Sequence, residues 1–239
     1  MQNRYAADIG DFGKLGLLRR LQASGLSIGV NWYLVPNESH NDDGRYVQYL
    51  EDAAFRQCDP ELWSALKQIV GSGRRTVSAL EDARLLDAVF FSDLLSFSGS
   101  GAERNTARKS WHRKALSVLS GTDILFADPD NGLLVPSAAG TGRENKYVKP
   151  DELADYYRQG SSVVYYQHKA RALDSAYAEK HAALLASSGF EGASGIGLKF
   201  TRTSLRYYFF AVQPKHKEII TEAVKQLLAS SWGDCFSLI

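Results

Sequence analysis

The sequence predicts one α/β domain over residues 1–239, with a doubly wound, mostly parallel sheet and an antiparallel strand pair near its C-terminus. Apolar runs of strand length alternate with amphipathic helical stretches, a pattern typical of parallel strands buried on both faces. Later in the chain, two apolar runs are separated only by the polar turn Arg202-Thr203-Ser204. Strands joined by so short a link must be antiparallel. These observations together indicate a Rossmann-like architecture.

Helices are predicted where apolar residues recur at helical spacing and a capping residue precedes them. Asp11 is the predicted N-cap of the first helix, whose leucines share one face. An Asp59-Pro60 start signal opens the third helix. The predicted helices span residues 11–21, 46–55, 61–70, 106–119, 150–158, 171–187 and 215–229.

Strands are predicted where short apolar runs are bounded by turn-forming residues. They span residues 26–35, 74–78, 88–91, 123–127, 161–167, 197–201 and 206–212. A long polar loop at residues 37–45 follows the first strand. The loop at residues 136–142 has the composition of a mobile segment.

The charge and hydropathy of the chain limit which partners it can bind. The 28 Lys and Arg residues against 27 Asp and Glu give a formal charge of +1, so no global basic field attracts nucleic acid. Any nucleic acid would have to be held locally. The chain has no N-terminal signal pattern, and no apolar run approaches the roughly 18 residues that span a bilayer. We therefore expect a cytoplasmic protein without a membrane partner; the composition specifies no oligomeric state.

The two cysteines, Cys58 and Cys235, lie far apart in the sequence, and neither has a CxxC partner. They cannot form a metal knuckle with each other by this spacing. We expect inert thiols in a reducing compartment.

The segment that follows the predicted strand 123–127 has the composition of a functional site. There the apolar run ends at Asp128-Pro129-Asp130-Asn131, with Gly132 next. In an open α/β sheet, ligands bind beyond the carboxyl ends of the strands, so we interpret Asp128, Asp130 and Asn131 as the reacting centre. The alternative is a reverse turn without a ligand, because these residue types are also turn formers.

Two further polar clusters follow predicted strands. His168 comes directly after the strand 161–167 and could be a general base, a metal ligand or a phosphate contact; the alternative is a helix cap. The loop after the first strand holds His40, Asn41, Asp42, Asp43 and Arg45. Because strand exits converge at one edge of a parallel sheet, these clusters and the turn at residues 128–132 are predicted to surround one pocket.

Helix-linked strands that end in an antiparallel pair resemble the class I S-adenosylmethionine-dependent methyltransferase fold. In members that modify exocyclic amino groups of bases, an (Asp/Asn)-Pro-Pro-aromatic motif follows the fourth strand and holds the target amine. The segment Asp128-Pro129-Asp130-Asn131 is similar to that motif. The resemblance implies S-adenosylmethionine as cofactor and a nucleic-acid or nucleotide substrate.

The N-terminal segment extends the resemblance. Tyr5 and Lys14 resemble the N-terminal tyrosine and the lysine-bearing first helix of bacterial large-subunit ribosomal RNA adenine methyltransferases. The segments at residues 8–19, 128–132 and 166–168 also resemble a bacterial family of unnamed activity. The resemblance runs over most of the chain. It implies catalytic roles for Asp128, Asp130, Asn131 and His168, cofactor binding by Lys14, Asp42 and Asp43, and substrate binding by Tyr5, Arg45, Lys146 and Tyr165.

The chain departs from the methyltransferase pattern in two places. Leu34-Val35-Pro36-Asn37 follows the first strand where an acidic, glycine-rich turn should let the backbone approach the cofactor. Asp130 and Asn131 replace the second proline and the aromatic residue that would stack on the base, so Tyr147 or Tyr165 would have to stack instead. A catalytically silent module that binds a nucleotide or a partner is therefore a further alternative.

A metal-dependent nuclease or phosphodiesterase is the main alternative. Asp128 and Asp130 could share Mg²⁺ or Mn²⁺, because both cations prefer carboxylate oxygens. Glu144-Asn145-Lys146 resembles the Glu-x-Lys part of a nuclease site, in which lysine orients the attacking water. A solvated charged loop would explain the same residues.

The best local candidate for a nucleic-acid surface is a basic stretch around Trp111 in the helix predicted at residues 106–119. The alternative is the ordinary polar face of a helix. Its basic residues are Arg104, Arg108, Lys109, His112, Arg113 and Lys114.

Overall fold

The computed structural model describes residues 1–39 and 43–239. Helices and strands alternate around one large sheet, as the sequence predicts. The helices are α1 Ile9–Ala23, α2 Ala53–Cys58, α3 Pro60–Gly71, α4 Val77–Asp82, α5 Gly101–Val118, α6 Pro150–Arg158, α7 Asp174–Leu185 and α8 Lys217–Ala229. The strands are β1 Ile28–Asn31, β2 Ala88–Phe91, β3 Ile124–Ala127, β4 Gly132–Leu133, β5 Tyr147–Val148, β6 Ser162–His168, β7 Ser194–Arg202, β8 Ser204–Val212 and β9 Phe236–Leu238.

The strand order in the seven-stranded sheet is β2-β1-β3-β6-β8-β7-β9, and β4 pairs with β5 separately. Strands β2, β1, β3 and β6 are parallel neighbours, whereas β8 is antiparallel to both β6 and β7. The predicted α/β class, with a mostly parallel main part and an antiparallel C-terminal pair, is confirmed. The edge strand β9, antiparallel to β7, was not predicted.

Alternate residues of the central strands build two cores, one on each face of the sheet. In β3, Phe126 packs into the core that contains α1 and α8, and Leu125 packs into the core that contains α5, α6 and α7. Side chains of consecutive strand residues point to opposite faces, which explains the division. Helices thus cover both faces, and the carboxyl edge of the parallel strands stays open for a site.

The N-terminus of α1 corrects one prediction. The N-cap is Asp8, whose side chain accepts hydrogen bonds from the backbone N–H groups of Gly10 and Asp11, whereas Asp11 lies inside the helix. Both aspartates are near enough to the first turn to cap it, and the hydrogen bonds decide between them. The earlier start brings Asp8 and Asp11 to the same end of the helix.

The predicted strand at residues 74–78 is wrong. Thr76 instead caps α4, because its hydroxyl accepts a hydrogen bond from the N–H of Ala79. β-Branched residues favour strands, but a threonine can equally start a helix when its hydroxyl finds a backbone donor. The predicted helix at residues 46–55 is likewise replaced, by a 3-10 turn at Gln48–Glu51 and by α2, which Asp52 caps.

The two cysteines, distant in sequence, are neighbours in the fold. The thiol of Cys58 lies 3.3 Å from the carbonyl oxygen of Ser231. A hydrogen bond from Cys58 and the nearby Arg202 guanidinium lower the pKa of Cys235 to about 7. This proximity is a tertiary feature that the spacing of the two residues in the sequence does not indicate.

Among the residues described, no helix is long and apolar enough to cross a bilayer.

Candidate functional site

A pocket of about 170 Å³, here called the acidic pocket, lies at the carboxyl edge of the parallel strands beside the N-terminal half of α1. Asp128 reaches it because its backbone N–H donates to the carbonyl of Asn31, so the chain leaves β3 level with the end of β1. The residues that line the pocket are Met1, Tyr5, Asp8, Gly10, Asp11, Lys14, Asp43, Gly44, Tyr46, Asp128, Pro129, Asp130, Asn131, Tyr166, His168 and Arg206.

The predicted convergence of the strand exits is confirmed for the described residues. Asp43 from the loop after β1, the turn after β3 and His168 at the end of β6 all line the acidic pocket. Asp42, like His40 and Asn41, lies outside the described residues. The predicted site residues that line the pocket are Tyr5, Lys14, Asp43, Asp128, Asp130, Asn131 and His168.

A buried ion-pair network forms the floor of the pocket. The Lys14 ammonium lies 2.8 Å from Asp11 Oδ1 and 2.5 Å from Asp128 Oδ2, and all three side chains are at most 5% exposed. Burial lowers the pKa of Lys14, but the two carboxylates raise it more, so the net shift is upward. Burial raises the pKa of Asp128, although Lys14 acts against the shift. Lys14 therefore keeps its charge and holds Asp128 in place.

Asp8 and Arg206 form a second charged pair at the pocket wall. The Arg206 Nη2 lies 3.9 Å from Asp8 Oδ2, and both side chains are buried. Burial and then the charge of Asp11 raise the pKa of Asp8 to about 6. No sequence signal identifies Arg206, because a single arginine within the aromatic strand β8 has no distinctive spacing.

The turn after β3 is held by the N-terminal segment and by the end of β6. Asp130 accepts a hydrogen bond of 2.6 Å from Gln2 Nε2 and lies 2.9 Å from the Met1 ammonium. Burial raises the pKa of Asp130, but the ammonium and Gln2 lower it more, so it falls below its usual range. The carbonyl of Asn131 accepts from Gln167 Nε2 at 2.9 Å. The turn is thus fixed against the end of β6.

Aromatic side chains at the pocket are Tyr5, Tyr46 and Tyr166, not the predicted Tyr147 or Tyr165. Tyr165 is buried, and its hydroxyl lies 3.2 Å from His181 Nδ1. The prediction failed because successive strand residues face opposite sides of the sheet. Tyr166 and His168, two residues apart, therefore share the pocket face, and Tyr166 Oη lies 3.3 Å from His168 Nδ1. Alternation along the predicted strand could have identified Tyr166.

The acidic pocket lacks the predicted residues Glu144, Lys146 and Arg45. Glu144 Oε1 lies 2.5 Å from the Lys149 ammonium, and Lys146 forms an ion pair with Glu38. The nuclease-like constellation is therefore not brought together around Asp128. Within residues 1–39 and 43–239, no group of three or more His, Cys, Asp or Glu side chains could hold a metal ion.

Helix α5 divides the predicted basic stretch between its two faces. Arg108 is buried and its Nε lies 2.7 Å from Glu152 Oε1, while His112 Nε2 lies 3.1 Å from Asp155 Oδ2. Both face α6, because positions four apart share a side of a helix. The stretch is therefore not one continuous basic surface, although Arg113 remains exposed.

The residues after β1 do not fit S-adenosylmethionine, the cofactor that the resemblance implies. Trp32 and Tyr33 are fully buried, and Tyr33 has a φ of 44°. The N–H of Trp32 donates to β2, that of Tyr33 to the side chain of Asn31, and that of Val35 to the N-terminal segment. A cofactor turn needs free backbone donors and no side chain between backbone and ligand. Here the donors are occupied, and the side chains of Trp32 and Tyr33 are packed into the cores on the two faces of the sheet.

A larger cavity of about 550 Å³, here called the α7 cavity, lies on the opposite face of β6. Of the described residues, Asn131 and His168 line both this cavity and the acidic pocket. Its lining is mostly apolar: Asn131, Leu133, Leu134, Val135, Pro136, Tyr147, Tyr165, Gln167, His168, Ala170, Ala172, Tyr177, Lys180, Ala183 and Phe209.

No family model and no curated protein matches the chain. Among solved structures, it is similar to the crystal structure of protein LPL1258 from Legionella pneumophila str. Philadelphia 1, of the family model DUF519. The two are 12% identical over 98% of this chain and 95% of that chain, with a TM-score of 0.48.

Proposed function

We propose that the acidic pocket binds an amino-bearing base of a nucleotide or nucleic acid, as the acceptor site of a methyltransferase-like protein. The observation that carries this proposal is the position of Asp128-Pro129-Asp130-Asn131 in a pocket rimmed by tyrosine rings. Support from the fold is the run of parallel strands that ends in the antiparallel strand β8.

Charge in the pocket favours a hydrogen-bond donor. Five aspartates line it, against the side-chain cations Lys14 and Arg206 among the described residues. An exocyclic amino group donates hydrogen bonds, and carboxylates are the side chains that accept from it when proteins read cytosine. Asp128 orients the amine in this proposal, and Lys14 is a positioning residue whose charge favours the ionised form of Asp128 against the effect of burial.

The size of the acidic pocket and the tyrosine at its rim favour a single base over a whole nucleotide. The volume of about 170 Å³ lies below the roughly 300 Å³ at which pockets for whole drug-sized ligands begin, so a ring and its amine fit better than an entire nucleotide. Tyr46 is 43% exposed at the rim, where a ring can stack on a base. His168 faces the same space, and burial together with the charge of Arg206 lowers its pKa. A neutral imidazole at pH 7 can accept a hydrogen bond from a bound amine.

Methyl transfer to that amine is the reaction that the resemblance implies, and S-adenosylmethionine would supply the methyl group. Because the turn after β1 does not fit this cofactor, the proposal concerns recognition of the acceptor. Methyl transfer is tested by a separate assay.

Matched ligands test the proposal. In an Ala183→Trp background, in which the α7 cavity is blocked, calorimetry should show that AMP and CMP bind at least tenfold more tightly than IMP and UMP, in which a carbonyl replaces the amine. A charge-assisted hydrogen bond contributes about 1.5–3 kcal/mol. Asp128→Asn should remove that preference. The control is Asp87→Asn, an exposed acid just before β2 at the opposite edge of the sheet.

Equal affinity for AMP and IMP, or an unchanged preference in Asp128→Asn, would overturn the proposal. Two further measurements rank the other functions. Transfer of labelled methyl from S-adenosylmethionine to a bound nucleotide would show that the protein is also a catalyst. Amine-selective binding without methyl transfer would favour the catalytically silent binding module. Mn²⁺-dependent cleavage of nucleic acid without amine selectivity would replace the proposal with the nuclease.

A further inference from the structure

We propose that the α7 cavity is a second binding site, independent of the acidic pocket, and that it takes an aromatic phosphate ester such as a nucleoside monophosphate. The acidic pocket and the α7 cavity lie on opposite faces of β6. The inference needs neither an amine nor any contact with Asp128, so it does not rest on the proposed function.

The size of the cavity suits such a ligand. A volume of about 550 Å³ is in the middle of the range of roughly 300–1,000 Å³ for small-molecule sites. It is also about three times that of the acidic pocket. A base with its ribose can therefore be enclosed here.

The walls favour a planar ring. Four aromatic side chains line the cavity, each from a different element: Tyr147 of β5, Tyr165 of β6, Tyr177 of α7 and Phe209 of β8. Three of these rings belong to the buried core on this face of the sheet, which holds them rigid. Aromatic side chains stack on bases of any type, because every base has a π face.

Charge at the mouth favours an anion. Among the described lining residues, Lys180 is the only lysine or arginine, and no carboxylate lines the cavity. The Lys180 ammonium lies 5.7 Å above the ring of Tyr177, and in the described chain no ion pair joins it to an acid. The acidic pocket has the opposite charge pattern. A ring with an attached phosphate would place the ring against the aromatic walls and the phosphate at Lys180.

The experiment uses the full chain and the aromatic sulfonate probe 8-anilinonaphthalene-1-sulfonate, whose fluorescence rises in apolar surroundings. UMP, which has a ring and a phosphate but no amino group, should displace the probe. Uridine, without the phosphate, should compete at least threefold more weakly, and inorganic phosphate, without the ring, should not compete. Asp128→Asn should leave all three results unchanged.

Two neighbouring alanines of α7 provide a matched pair of variants. Ala183 lines the cavity and Ala182 does not, and both are exposed, so either substitution is compatible with folding. Ala183→Trp should cover the mouth and reduce probe and UMP binding at least tenfold, while Ala182→Trp should bind normally. Lys180→Gln should weaken UMP at least threefold and leave uridine unchanged.

Normal UMP binding in Ala183→Trp would overturn the assignment of the site. An equal loss for UMP and uridine in Lys180→Gln would overturn the role of the phosphate. If Asp128→Asn abolished UMP binding and Ala183→Trp did not, the ligand would belong to the acidic pocket and this inference would fail. The comparison of AMP with IMP would still decide the proposed function on its own.

Discussion

Lys14 and Asp128, 114 residues apart in the sequence, form a buried ion pair that joins the first helix to the exit of β3. Asp11 holds the same ammonium from one turn earlier in α1. The pair changes the expectation for Asp128 that follows from its sequence alone. A carboxylate at a strand exit should serve a ligand more than the fold, but this one also neutralises a buried cation.

Lys14→Met should therefore be strongly destabilising, because it leaves the buried carboxylates of Asp11 and Asp128 without their shared cation. Breaking one partner of a buried pair costs about 3–5 kcal/mol. Asp128→Ala should also lower stability, by less, because Asp11 still pairs with Lys14. Urea denaturation measures both. Lys225→Met, at an exposed position of α8, is the control, and a Lys14→Met cost as small as that of the control would contradict the role of the network.

Asp8→Asn should change the pH dependence of stability. Asp8 has a pKa of about 6 in the folded protein against 3.8 for an ordinary aspartate, so between these values the folded state holds more protons than the unfolded state. The free energy of unfolding therefore falls as pH rises from about 4 to about 6, because Asp8 must ionise in the folded protein at a cost. Asparagine caps a helix as well as aspartate does and carries no charge. The variant should match the wild type near pH 4 and exceed it at pH 7, by on the order of 2 kcal/mol.

The measurement for Asp8→Asn is the free energy of unfolding at pH 4, 5, 6 and 7 for both proteins. Asp52→Asn, at the exposed cap of α2, controls for the change of capping residue. A variant that loses stability relative to the wild type as pH rises would show that ionised Asp8 stabilises the fold through Arg206.

Gly132→Ala should destabilise the turn that presents Asp130 and Asn131. Gly132 has a φ of 106°, and an added Cβ would collide with the side-chain amide of Gln167. A left-handed conformation at a non-glycine residue costs about 1–3 kcal/mol. Gly142→Ala is the matched control, since nothing lies within 4 Å of its added Cβ. Equal unfolding free energies for the two variants would refute the steric argument.

Arg108→Ala should cost far more than Arg113→Ala, although both belong to the basic stretch of α5. Arg108 donates to Glu152 in a buried pair, and its loss should cost about 3–5 kcal/mol, whereas a surface change stays within about 0.5 kcal/mol. Thermal unfolding of the two variants measures the difference. Similar melting temperatures would contradict the buried pair and indicate that Arg108 is a surface residue like Arg113.

The sequence predicted the elements whose signals are local. The helix over residues 150–158 and the strand over residues 88–91 have the predicted bounds, because a Pro-initiated amphipathic pattern and a short apolar run depend only on neighbouring residues. Failures occurred where two local signals compete. At Thr76 the hydroxyl cap prevailed over β propensity, and at residues 26–35 the strand ends at Asn31, whose side chain accepts from the N–H of Tyr33.

By itself, the sequence determined the fold class and the sheet edge at which polar residues gather, because hydrophobic periodicity and strand exits are properties of short segments. Only the tertiary structure decided which partners those residues take. Lys14 pairs with Asp128, Arg206 joins Asp8, and Glu144 turns to Lys149 away from the acidic pocket. These choices depend on contacts between distant segments and on the strong Coulomb attraction between charges removed from water, and neither is encoded in residue spacing.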